Sequence, residues 1–199
     1  MGGHHTTITQ QAWQTQVGKH PEYGRCPKFN ILDALNAANV ATDDPPDRDD
    51  NRQHYCRALR EDINAARNAY TEFLAGSLTE YEETLEHGTP HLCDAALARL
   101  GHMLHSWQDY YAHSIDNNSP FRGNPGPIQG DPDNPSTNQK PASWGSFFNW
   151  GEHGSNEPGT RETDGGANRR AQAQAFSESK LEALFGKWWT KCHCDKCGQ

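Results

Sequence analysis

The stretch Leu100-Gly-His-Met-Leu-His-Ser-Trp-Gln-Asp-Tyr-Tyr-Ala-His-Ser114 concentrates residue types that bind metal ions. His102, His105, Asp109 and His113 follow one another at steps of three, four and four. On a helix turning about 100° per residue, they fall within an arc of roughly 80°. Leu97, Leu100, Leu104, Trp107 and Tyr111 share a similar arc on the opposite side. The spacing predicts a helix with one apolar face for the core and one face of imidazole and carboxylate groups. A single histidine on a helix is ordinarily solvated or hydrogen-bonded. Four potential ligands in one stripe would cost free energy if buried without compensation. Imidazole nitrogen together with carboxylate oxygen suits zinc better than manganese or iron.

One helix cannot complete such a site, because zinc usually takes three or more protein ligands. The chain offers four further sources. His5 lies just before an amphipathic segment. Asp43 and Asp44 open an acidic, proline-broken loop, and His54 closes it. His153-Gly-Ser-Asn-Glu157 repeats the spacing of His105 and Asp109, which sets both groups on one side of a helical turn.

The long histidine helix resembles the ligand helix of the bacterial zinc-dependent phospholipase C family, which shares its fold with the S1/P1 nucleases. The likeness extends to His5–Ala12, to the loop from Asp43 to His54 and to His153–Glu157. It implies an all-α protein with a trinuclear zinc cluster that hydrolyses phosphodiesters. On this likeness His54, His105 and Asp109 would hold one zinc ion, and His113, His153 and Glu157 a second. His5 and Asp109 would hold a third with the chain's amino terminus. The family opens on a residue, usually Trp, whose amine binds zinc. Here the chain opens Met1-Gly2-Gly3-His4, so His4 is an alternative donor. Asp43 or Asp44 matches the acidic residue beside the metals, a general base, with a slight preference for Asp44. His102 is expected to hydrogen-bond behind the ligands, and His20, His87, His91 and His193 to lie at the surface. The distance in sequence from His113 to His153 marks Asp116 to Glu152 as an insertion.

The function so implied is phospholipase C activity at a membrane surface, releasing diacylglycerol and a phosphorylated alcohol from phospholipid. A single-strand nuclease and a non-catalytic, metal-stabilised module are the alternatives. A net charge of −8 argues against a broad basic face for nucleic acid, although bound zinc would itself supply positive charge. Nothing in the chain sets an oligomeric state.

The elements that must position these groups read as helices: Ile8 to Gln16, Pro27 to Val40, Arg57 to Leu85, Pro90 to Ile115 and Asn168 to Lys191. Gly76 is a candidate interruption of the third. No strand is evident, so the expected fold is a compact all-α, multi-helix single domain over 1–199. Asp116 to Glu152 reads as a long irregular loop ending in the aromatic run Trp144–Trp150, which either covers a small core or forms a lip for lipid or a stacked base.

The chain has 199 residues, 33% of them hydrophobic, and a mean hydropathy of −0.99. A metal cluster would help stabilise so polar a chain. No segment approaches a transmembrane span, and no basic-then-apolar leader opens the sequence. Export is expected, either with a leader removed or by another route, and the length would also suit the toxic tip of a larger secreted protein. The six cysteines fit disulfides and an oxidising compartment. A structural metal in the tail at 192–199 is the competing reading.

Overall fold

The structure, a computed structural model, describes residues 3–58, 60–87, 89–116, 128–143 and 164–198. The elements are α1 (Gly3–Lys19), α2 (Ile31–Ala41), β1 (Cys56–Arg57), α3 (Ile63–His87), α4 (Pro90–His113), β2 (Ser114–Asp116), β3 (Gly130–Asp131), β4 (Asn134–Pro135), β5 (Gln139–Ser143), α5 (Asp164–Lys180) and α6 (Gly186–Cys197). A π-helical turn, Leu181–Phe185, joins α5 to α6. The expected all-α architecture holds, with helices dominating the described residues. The packing forms two compact units. One comprises Met1–Asp44, Gly76–His105 and Gln174–Gln199, the other Pro45–Ala75 and Ser106–Ala173.

In the first unit, α1 buries Ile8, Thr9, Ala12, Trp13 and Gln16, a helical stripe that includes two polar side chains. The Gln16 amide donates to Glu178 O (2.9 Å), and Asn39 Nδ2 on α2 donates to Thr9 Oγ1 (3.1 Å). Helix α2 begins at Asn30, whose side chain accepts from Asp33 N (3.2 Å) as an N-cap. It lies so close to α4 that a Cβ on Gly101 would stand 2.6 Å from Ala38 Cβ and 2.7 Å from Leu35 O. Disulfides Cys26–Cys197 and Cys93–Cys192 tie down α6. Trp188 Nε1 donates to Cys93 O (2.8 Å), and the Tyr81 hydroxyl donates to Leu184 O (2.7 Å) in the π-helical turn.

In the second unit, Tyr55, Tyr70 and Tyr110 pack edge to face and stacked, with centroids 4.7–6.3 Å apart. The Tyr70 hydroxyl donates to Ser106 O (3.0 Å) and that of Tyr110 to Gln129 O (3.0 Å). Arg169, 1% exposed, donates to Ser114 O (2.8 Å) and Tyr111 O (3.3 Å), satisfying carbonyls at the end of α4.

Two readings of local structure change. A three-stranded sheet exists, with β5 central, β1 parallel to it and β2 antiparallel; β3 and β4 form a separate hairpin. Strands of two to five residues are too short to show a period, and β5 carries Pro141, which cannot donate to a ladder. The stretch from Asp116 to Glu152 is therefore structured over its described part, 128–143. Residues 117–127 and 144–152, with the aromatic run, lie outside the described residues. The second change is helix length. Helix α1 starts at Gly3, α3 continues through Gly76, and the last helix extends to Cys197.

Candidate metal centre

Helix α4 presents the predicted row, but not to solvent. From Met103 to Tyr111 every side chain is buried, so the ligand face is covered as fully as the apolar one. His105 is 0% and Asp109 2% exposed.

In the first unit, two elements bring groups to His105. Helix α1 carries His5 inside its first turns rather than ahead of it, and the His5 ring stacks on His105 with centroids 4.2 Å apart. The turn after α2 carries Asp43, whose Oδ1 lies 3.7 Å from His105 Nε2. That is too long for a hydrogen bond. It is close to the separation of about 3.3 Å between two ligand atoms of a tetrahedral zinc ion. Asp43 Oδ2 is buried with no hydrogen-bond partner among the described residues. Asp44 is exposed, so of the two loop aspartates Asp43 is the one that reaches a predicted ligand. His4 is exposed too. Met1 and Gly2, with the amino terminus, lie outside the described residues.

In the second unit, Asp109 stands between two imidazoles. His54 Nδ1 is 2.8 Å from Asp109 Oδ2, and His113 Nε2 is 3.2 Å from Oδ1. All three side chains are at least nine-tenths buried. A buried carboxylate requires positive charge, from a proton on an imidazole or from a metal ion. The backbone around His54 is built to place it. Tyr55 adopts a left-handed conformation (φ 47°) that a bulky side chain rarely takes, and β1 follows at once, pinned to β5. Strand β2, which continues α4 directly beyond His113, pairs with the other edge of β5. Tyr70, whose phenol is pushed up by burial and then by Tyr55, Tyr110 and Asp109, stays a neutral donor to Ser106 O.

The donors therefore fit zinc on two counts, the nitrogen and oxygen chemistry of the set and a buried Asp43 Oδ2 with no hydrogen-bond partner among the described residues, on the carboxylate whose Oδ1 lies 3.7 Å from His105 Nε2. His153 and Glu157, predicted with His113 to hold one ion, lie outside the described residues. His102 is half-buried, as are His20 and His193, which stack on Tyr23 and Trp189; His87 and His91 are exposed. Sequence reasoning missed Thr9 and Asn39, fully buried polar residues behind His105. The available signal was a polar residue next to Ala38 on the buried stripe of α2. Cys192 and Cys197 are spent in disulfides rather than in a tail metal site. Compared with protein-family models, curated proteins and solved structures, the chain matches none.

Proposed function

We propose that the chain is a zinc-dependent phosphodiester hydrolase of the phospholipase C type, with two or three zinc ions held along α4. The observation that carries this reading is Asp109, a buried carboxylate between His54 and His113 on the same helix as His105. Zinc, when bound, would supply a lowered water pKa and positive charge against the phosphoryl oxygens. The protein's own groups do the rest. Asp109 would supply negative charge to a bound cation. His5 and His105 would donate ring nitrogens. Asp43 Oδ2, buried with no hydrogen-bond partner among the described residues, would accept the proton of the attacking water. The net charge of −8 favours a lipid substrate over a polyanionic strand. Two disulfides suit an oxidising compartment, and among the described residues no helix is long and apolar enough to cross a membrane. Export to act on an outer lipid surface belongs to the same proposal.

The test is metal analysis of the purified protein with parallel assays on a phosphocholine ester and on single-stranded DNA. Hydrolysis of the ester that is abolished by chelation and restored by zinc is the expected result. Turnover of DNA alone would assign a nuclease. Bound zinc with neither activity would leave a metal-stabilised module.

A further inference from the structure

Behind His105 runs a fully buried chain of polar groups. Thr9, Asn39 and His105 are each 0% exposed. Asn39 Nδ2 donates to Thr9 Oγ1 at 3.1 Å, and Asn39 Oδ1 lies 3.2 Å from His105 Nδ1. A threonine hydroxyl within a helix commonly returns its proton to the carbonyl one turn earlier, which leaves its oxygen as an acceptor. An acceptor at Oγ1 fixes the Asn39 amide with its NH2 toward α1 and its carbonyl oxygen toward α4. A carbonyl oxygen can receive a hydrogen bond but cannot give one. His105 must then carry its proton on Nδ1, and its other nitrogen, Nε2, presents a lone pair toward Asp43. We propose that Asn39, its amide oriented by Thr9, is a positioning residue that locks His105 in the Nδ1–H tautomer and so makes Nε2 the metal-binding atom. This rests on the zinc reading of the site. It adds that ligand quality is set from α1 and α2, two helices that the histidine row does not include.

Metal-bound histidines commonly donate their second ring nitrogen to a carboxylate or carbonyl, and loss of that partner weakens metal affinity by about 10–100-fold. A purely architectural Asn39 would hold α1 to α2 without choosing a tautomer. The two roles separate in metal-free protein at about pH 8.5, where histidine rings are neutral. Long-range nitrogen–proton NMR then reads the two nitrogens of His105 directly. The expected wild-type pattern is a protonated Nδ1 and an unprotonated Nε2. Asn39→Leu, and independently Thr9→Val, should release the ring to a mixture of tautomers. Zinc alone, competed against a chromophoric chelator, should bind Asn39→Leu about 10–100-fold more weakly. Asn39→Asp, which keeps an acceptor, should regain the affinity. A wild-type ring protonated on Nε2 would overturn the proposal, as would an unchanged ring and affinity in Asn39→Leu. If that variant does not fold, the wild-type spectrum and Thr9→Val decide. A wild-type protein that binds no zinc, yet holds the Nδ1–H ring, would sink the hydrolase reading and leave the tautomer lock standing.

Discussion

At the scale of single residues, charge decides what Asp109 and Asp43 can do. Asp109 is buried, and each of its oxygens faces a different imidazole. Asp109→Asn removes the negative charge and retains the shape, so zinc and hydrolysis should disappear together, read by metal analysis and turnover on one preparation. The metal-free variant also loses a buried charge pair, whose disruption costs about 3–5 kcal/mol, measurable by urea unfolding. Asp43 differs because its Oδ2 is buried with no hydrogen-bond partner among the described residues, and the proposed reaction assigns it the proton of the attacking water. Asp43→Asn should lower turnover by about 10²–10⁴-fold while zinc content falls far less. Asp44, exposed beside it, should tolerate the same change with a smaller loss. Much of this site was legible in the sequence, because His105, Asp109 and His113 repeat at helical spacing and His5, Asp43 and His54 lie at element ends. The choice of Asp43 over Asp44 was not legible. It depends on how the turn after α2 points two adjacent side chains, and no periodicity records that.

Among the elements, α2 and α4 depend on one absent side chain. Gly101 sits inside α4, where glycine costs about 1 kcal/mol relative to alanine by helix propensity alone. Contact reverses that preference. A methyl at position 101 would press on Ala38 Cβ and Leu35 O, and would stand 3.3 Å from Asn39 N. Backbone cannot yield as a flexible side chain does. Gly101→Ala should therefore lower stability by about 1–3 kcal/mol in a thermal or urea melt. By shifting α2 it should also weaken zinc binding through Asn39, an effect that a remote destabilising substitution would not produce. The apolar stripes of α3 and α4 were readable because Ala66, Tyr70, Leu74, Tyr81 and Leu85, and Leu97, Leu100 and Leu104, are core positions at helical spacing. The sheet was hidden for the opposite reason. Its strands pair residues far apart in sequence, Cys56 with Ala142 and Ser114 with Pro141, and none is long enough to alternate. The outer turns of α1 were hidden because Gly3 and His4 carry no capping or apolar signal.

For the whole molecule, the tyrosines offer a readout of folding that needs no substrate. All six phenols have pKa values raised above the ordinary range, principally by burial. Tyr110 is pushed up to about 12, Tyr55, Tyr81 and Tyr111 stand higher still, and Tyr70 is raised well above the ordinary value. Each is an acid whose neutral form is favoured by folding. Below the unfolded value of about 10, both states hold the proton and the stabilisation is complete. Above it the unfolded chain releases protons that the native chain retains, so stability falls as pH rises. With several phenols acting together, the loss should be steep. Absorbance near 295 nm should show little phenolate at about pH 10, where free tyrosine is half ionised. It should then rise in one cooperative step that coincides with loss of helical circular dichroism. A gradual rise centred near pH 10 with the helices intact would mean that these rings are open to solvent. The nest of Tyr55, Tyr70 and Tyr110 beside His54 and Asp109 would then lack the packing that holds those side chains in place.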